Sequence, residues 1–286
     1  MKIIILKGGL GNQLFQVAYA YYLAKKKQHR IVVFTGLLGS YKAKREFYFS
    51  DYFGQGKDNI KVRSSFVLAY LIRVFAFILE PIFPKSIFME SSKKYSEEQN
   101  LKSAFVIDAY LQRFTDAEYF DFILNDITFA AFIQSSLQPH FIPWKEQVVF
   151  KQSCLHIRGN DLKYLFNLEQ LKLVVNQLLA KLAMLHPEQP VTLVTDDVTF
   201  AQTLLAPINK VNFQSKNWQI DFLTLANAQV MGLIDSTFSI WAGVYGLILF
   251  PHTSILASLN SIQKYPLLIY LYQQQRLKRL EDVEWK

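Results

Sequence analysis

The opening stretch leaves the chain few folds to choose from. Ile3-Ile4-Ile5-Leu6 is an apolar run, Gly8-Gly9-Leu10-Gly11 breaks it, and Asn12 to Lys27 carries Leu14, Phe15, Ala18 and Tyr22 at helical spacing. A strand that passes through a glycine turn straight into a helix is the entry to a nucleotide-type α/β half. The glycines allow close approach of a ligand or of another backbone segment, and the helix start offers unpaired N–H groups. As a dinucleotide fingerprint, however, the turn fails. Leu14 stands where a third glycine belongs, and the next strand, Ile31-Val32-Val33-Phe34, ends on Thr35 instead of an acid. A nicotinamide-dependent oxidoreductase is therefore disfavoured.

Further along, residues 36–65 read as a polar, irregular insertion whose aromatics (Phe47, Tyr48, Phe49, Tyr52, Phe53) must pack somewhere. Phe66–Phe83 is the most apolar stretch, but Arg73 and Glu80 interrupt it and Pro81 and Pro84 end it, so it is too short and too charged to span a bilayer. It reads as a buried or interfacial helix. Membrane-surface docking is the lesser alternative, supported by the flanking Lys61, Arg63 and Lys85. After the charged stretch Ser91–Asn100 comes a strand at Phe105-Val106-Ile107, with Asp108-Ala109-Tyr110-Leu111-Gln112 at its end, then a helix over Asp116–Leu124. Pro139 and Pro143 flank a short aromatic segment and mark a boundary between an N-terminal domain, 1–142, and a C-terminal domain, 143–286.

The second half alternates more cleanly. A strand over 148–157 precedes a helix over Leu168–Leu185, which His186-Pro187 stops. Then follow a strand Val191–Val194, a helix 198–205, a strand near Gln219–Phe222, a helix 223–230 and a strand Gly232-Leu233-Ile234. Ser236-Thr237-Phe238-Ser239 turns into another helix through Trp241. Strands alternating with helices at this spacing predict an α/β fold with parallel strands covered on both faces.

Composition narrows the function. With 286 residues, 51% of them hydrophobic, the chain can bury the cores of two modest domains. The net charge of +8 and a pI near 9.3 point to anionic partners: nucleotide phosphates, acidic lipid or nucleic acid. Nucleic acid is disfavoured. The only tight basic runs, Lys25-Lys26-Lys27 and Arg276-Leu277-Lys278-Arg279, read as solvated helix ends, and no nucleic-acid motif accompanies them. A single cysteine excludes a disulfide framework and a thiolate zinc cluster and fits a reducing compartment. The first strand reaches its glycines too soon for a signal peptide, so a cytoplasmic location is expected.

Three predicted strand ends in the second half carry polar groups: His156, Arg158 and Asp161; Thr195, Asp196 and Asp197; Ser236, Thr237 and Ser239. In an open α/β sheet all three face the ligand-binding edge. Opposite the Gly8–Gln13 turn, that edge would border a central cleft between two Rossmann-type domains. The hydroxyls and N–H groups of Ser236-Thr237-Phe238 suit a phosphate oxygen, although ordinary helix capping uses the same residues. Asp196 or Asp197 could accept hydrogen bonds from a ribose or a purine edge, with helix capping again the alternative. Arg158 and Asp161 could equally be an ion pair closing a strand end. Adjacent acids with no carboxylate–histidine cluster are poor evidence for a metal, and no divalent ion is expected.

These residues carry a resemblance. Gly8-Gly9-Leu10-Gly11-Asn12-Gln13-Leu14-Phe15-Gln16, Ala109-Tyr110-Leu111-Gln112, His156-x-Arg158-x-x-Asp161, Thr195-Asp196-Asp197 and Asp235-Ser236-Thr237-Phe238-Ser239-x-Trp241 follow the order of motifs in the alpha-1,2-fucosyltransferases. The sequence resembles that family over residues 8 to 251, with two departures. Gly159-Asn160 replaces the family's second arginine and glycine, and Asp235 and Ile240 replace an asparagine and a tryptophan. The resemblance implies a GT-B-like fold and an inverting, metal-independent transfer of fucose from GDP-β-L-fucose to a terminal β-galactoside. In context that acceptor is an oligosaccharide or lipid-linked surface glycan, met in the cytoplasm or at the inner face of a bacterial membrane. Arg158 would then steady the leaving diphosphate, and Asp161, or failing it His156, would take the acceptor's proton. Donor contacts are expected from Gly9, Gly11, Asn12, Gln13, Thr195, Asp196, Asp197, Ser236, Thr237 and Phe238. A catalytically silent GDP-sugar or glycan-binding protein, and a transferase for another GDP-sugar or acceptor, are the competing readings.

Overall fold

The computed structural model describes residues 1–40, 45–53, 59–89, 101, 103–143, 151–159, 167–206, 211–250 and 253–280. The chain divides into two compact units, Met1–Leu137 and Gln138–Lys286. The fold is α/β, built on two all-parallel sheets, as the strand–helix alternation predicts.

In the first unit, β1 (Lys2–Ile5), β2 (Ile31–Phe34), β3 (Ile60–Arg63), β4 (Ile87–Met89) and β5 (Val106–Asp108) form a parallel sheet in the order β3-β2-β1-β5-β4. Ile3 lies opposite Val32 on one side and Val106 on the other, which centres β1 in the sheet. Helix α1 (Leu10–Lys25) connects β1 to β2 and is buried over almost its whole length. Its tyrosines explain why: Tyr19, Tyr21 and Tyr22 pack on Tyr119 and Phe122 of α4 and on Phe132 of α5. The intervening elements are α2 (Ser50–Phe53), α3 (Phe66–Leu79), α4 (Ala117–Asn125) and α5 (Ile127–Phe141). Asp116 starts α4 by accepting the N–H groups of Glu118 and Tyr119.

The second unit holds β6 (Lys151–Ile157), β7 (Val191–Thr195), β8 (Val211–Gln214), β9 (Ala228–Leu233), β10 (Ser254–Ala257) and β11 (Leu277–Arg279), all parallel, in the order β11-β10-β9-β6-β7-β8. Numbered from β6 this is 3-2-1-4-5-6, the strand order of the Rossmann sheet. Its helices are α6 (Leu168–Leu185), α7 (Val198–Leu204), α8 (Trp218–Ala226), α9 (Thr237–Leu249), α10 (Leu259–Lys264) and α11 (Pro266–Gln273). Asn167 caps α6, which buries Leu171, Val175, Leu178, Leu179 and Leu182 against Leu155, Ile157 and Leu193 of the sheet.

Several local expectations are corrected. The insertion at 36–65 contains β3, paired along its length with β2, and its aromatics join the core through Phe53 and Phe49 on Phe132. Residues 219–222 are helical, not extended. Asn217 caps α8 by accepting from Ile220 N, and because Ile220–Ala226 are all buried the helix shows no one-sided apolar stripe. The strand that follows is consequently Ala228–Leu233. Of the run Arg276–Arg279, Leu277–Arg279 form an edge strand with Leu277 buried, not a helix end. By contrast, Lys26 and Lys27 sit just past α1 and pair with Asp126 and Glu118. Residues 148–150 lie outside the described residues.

Candidate active site

The chain leaves β6 towards β7 on one side, while β9 joins it on the other, so the carboxyl ends of β6 and β9 border the crevice where such sheets bind ligands. β6 delivers His156, Ile157 and Arg158 to that edge. β9 delivers Asp235, Ser236 and Thr237, and the register Leu155 opposite Gly232 makes the two ends direct neighbours. Gly232 permits this closeness, since a Cβ there would stand 2.9 Å from Leu155 Cδ1 and 3.0 Å from Leu182 Cδ1.

The His156 ring is buried, 5.4 Å from the ring of Phe238 in the first turn of α9, and ties β6 to that helix. Its Nδ1 has no hydrogen-bond partner among the described residues. Burial, with the nearby Arg158 charge acting in the same direction against Asp196, lowers its pKa from 6.5 to about 4. The imidazole is therefore neutral at neutral pH. Arg158 itself is half-buried.

Ser236 is the N-cap of α9, yet its hydroxyl does not accept the N–H two or three residues on, as a capping serine usually does. Ser236 Oγ is instead buried without a partner among the described residues, while Ser239 Oγ donates to the Ser236 carbonyl at 3.0 Å. A buried, uncommitted hydroxyl beside the free N–H groups of a 13-residue helix is a cradle for an anionic oxygen. Thr237 is buried and Phe238 half-buried. Asp235 turns away: it accepts from the Tyr265 hydroxyl and pairs with Lys264, which accounts for an acid at that position.

At the end of β7, Thr195 Oγ1 accepts from Asp197 N at 3.1 Å, and the Asp197 carboxylate accepts from Phe200 N at 2.9 Å, capping α7. Asp196 is exposed and its Oδ1 accepts from Gly159 N at 2.7 Å, tying β7 to β6. Gly159 presses on the same turn, with its missing Cβ 2.4 Å from Asp197 Cβ and 3.2 Å from Phe200 Cδ1. A second arginine has no room there. Asp161 lies outside the described residues.

In the first unit the corresponding edge lies past β1 and β5. Gly8 has φ +82, a conformation that favours glycine, and Gly9 caps α1. The helix begins at Leu10, so Gly11, Asn12 and Gln13 lie in its first turn and not in the glycine turn before it. Gln13 is fully buried, its Nε2 donating to Gly8 O at 3.1 Å and Glu46 O at 2.8 Å. Gln16 grips Lys7 from both sides, accepting from its N–H at 3.0 Å and donating to its carbonyl at 3.2 Å. These glutamines shape the loop. Asn12 Oδ1 and Gln13 Oε1 are buried without partners among the described residues.

Sequence reasoning missed the ionic cluster beside them. Lys7 Nζ donates to the Asp108 carbonyl at 3.1 Å, stands 3.1 Å from Asp108 Oδ1 and lies 4.5 Å from the centroid of the Tyr110 ring. Arg73 Nε is 2.9 Å from Asp108 Oδ2. The available signal was positional: Lys7 directly precedes the glycines, and Asp108 ends a strand.

Among the described residues, no group of three or more His, Cys, Asp or Glu side chains is placed to hold a metal ion. No family model matches the chain, and no curated protein matches it. Among solved structures it is similar to the NodZ alpha-1,6-fucosyltransferase co-crystallized with GDP (15% identity, TM-score 0.53, covering 91% of this chain and 95% of that one). It is also similar to the same enzyme soaked with GDP-fucose, at 14% identity and TM-score 0.50, covering 91% of this chain and 96% of that one. At such identity the likeness is one of fold, and the two parallel-sheet units of this chain are those of a GT-B protein.

Proposed function

We propose that this chain is an inverting, metal-independent glycosyltransferase that moves L-fucose from GDP-β-L-fucose to the 2-hydroxyl of a terminal β-galactoside in a surface glycan. The observation that carries the proposal is the placement of Arg158 and of the uncommitted Ser236 hydroxyl at the ends of adjacent strands, which the His156–Phe238 ring contact ties together. The fold shared with a GDP-fucose enzyme supports the donor class; the linkage and acceptor rest on the sequence motifs.

In the proposed reaction the acceptor oxygen forms a bond to fucose C1 as the bond from C1 to the β-phosphate oxygen breaks. Negative charge then grows on the GDP diphosphate. Arg158 meets it with charge-assisted hydrogen bonds, and Ser236 Oγ, Thr237 and the α9 N–H groups complete the cradle. The acceptor proton goes to a base. Asp161 is assigned that role, because a histidine held near pKa 4 by burial is a weak acceptor and better suited to positioning Arg158.

The test is a transfer assay with labelled GDP-fucose and lactose, with and without a chelator, for the wild type and Arg158→Ala. Fucosylated lactose from the wild type that survives chelation and is lost in the variant is the expected result; near-normal turnover by Arg158→Ala removes that residue from the mechanism. The glycine at 159 favours one second reading, a GDP-sugar-binding protein without transfer. GDP binding with no product from any β-galactoside would establish it. Linkage analysis of the product decides between the 2-hydroxyl and another position.

A further inference from the structure

Helix α3 is built inside out. The side chains it turns to the core are its smallest, Ala69 and Ala76, flanked by the half-buried Ile72 and Leu79, and they pack on Ile5, Phe34, Ile87 and Met89. Its large side chains face outward: Val67 is 65% exposed, Tyr70 53%, Phe75 60%, Phe77 64% and Ile78 57%, and Ile82 in the turn beyond is 65% exposed. Phe66 and Tyr70 stack on each other on this outer surface, with ring centroids 6.0 Å apart. A contiguous apolar face of this kind marks an interaction surface.

Charge selects the partner. Arg73, the one charged residue within α3, is directed to Asp108, and Glu80 at its end is buried. Among the described residues, the exposed charges that flank the helix in sequence, Lys61 and Arg63 before it and Lys85 after it, are all basic. A second copy of the chain meeting this face about a two-fold axis would bring those same cations together. An anionic bilayer accepts both the apolar face and its basic border, with the lysine and arginine stems reaching the headgroups. The helix, 14 residues long, is shorter than the roughly 20 residues a span requires. Among the described residues no helix is long and apolar enough to cross a membrane.

We infer that α3 and the Pro81–Pro84 turn dock flat on an anionic lipid surface. The test is co-sedimentation of the full chain with vesicles of phosphatidylcholine alone or mixed with phosphatidylglycerol. It is read without any sugar donor, so its outcome is separate from that of the transfer assay. Binding is expected only to the anionic vesicles and should weaken as salt rises. Phe75→Glu with Phe77→Glu should lower partitioning at least about tenfold, and replacing Lys61, Arg63 and Lys85 by glutamine should lower it on the order of a hundredfold. Both phenylalanines are exposed, so unfolding midpoints should not move; if the glutamate pair misfolds, Phe75→Ser with Phe77→Ser gives the same reading. Equal binding by wild type and variants, or no binding to anionic vesicles, overturns the inference. So does a dimer in sedimentation velocity that the phenylalanine variants dissociate in the absence of vesicle binding.

Discussion

Gly159 and Asp197 approach so closely that a methyl group on the glycine would sit 2.4 Å from the Asp197 Cβ. The contact lets Gly159 N reach Asp196 Oδ1 and thereby fixes where the chain goes after Arg158. Gly159→Ala is expected to destabilise the protein by about 1–3 kcal/mol, the usual cost of forcing atoms into a packed site. Urea unfolding of the variant measures it. Gly159→Arg, which restores the residue of the resembled family, should lower fucosyl transfer and not raise it.

His156 makes stability depend on pH. Its folded-state pKa of about 4 lies below the ordinary 6.5, so the unfolded chain binds the proton more readily than the native one. The contribution is fully present above pH 6.5, falls as pH drops and levels off below about 4. The loss over that window is on the order of 3 kcal/mol. Urea midpoints from pH 7.5 down to about 4 test this: the wild type should lose more stability than His156→Phe, which keeps a ring against Phe238. Parallel curves would show that burial does not set this histidine's protonation.

In the proposed transfer Arg158 has a geometric role that charge alone would not fill. Arg158→Ala should cost about 2.7–4 kcal/mol in the barrier, the range for removing one transition-state donor. Arg158→Lys should recover little of it, because an ammonium cannot make the planar two-pronged contact with a diphosphate. The measurement is kcat with GDP-fucose saturating; full rescue by lysine would reduce the residue's role to that of a point charge.

Asp108 neutralises two cations at the edge of the first sheet. Removing it takes the Asp108 carboxylate away from Lys7, buried beside the Tyr110 ring, so Asp108→Ala should destabilise the protein by about 3–5 kcal/mol. Asp108→Ala combined with Lys7→Met should recover part of that loss, because the buried ammonium that faced Asp108 is removed with it. Thermal or urea unfolding of the single and double variants decides it.

The residues by themselves determined the class of fold. Apolar runs of strand length, glycine and proline punctuation, and one-faced helices such as Leu168–Leu185 are signals written in near neighbours, and they sufficed for two α/β units with parallel strands. They also brought forward Arg158, His156 and Ser236, because a polar residue directly after an apolar strand stands at the ligand edge of any such sheet. Tertiary structure alone decided the order of the strands, and with it that β6 and β9 are neighbours. It showed that Asp197 caps a helix while the Ser236 hydroxyl does not, and it joined Lys7 to Asp108 across 101 residues. It also reversed local pattern where burial was complete on all sides, as in Ile220–Ala226, or inverted, as in α3, whose alanines face inward and phenylalanines outward. The physical reason is common to these cases: periodicity reports a boundary between a helix's apolar core face and water, and it is silent or misleading where a helix meets no water or turns its large apolar side chains outward.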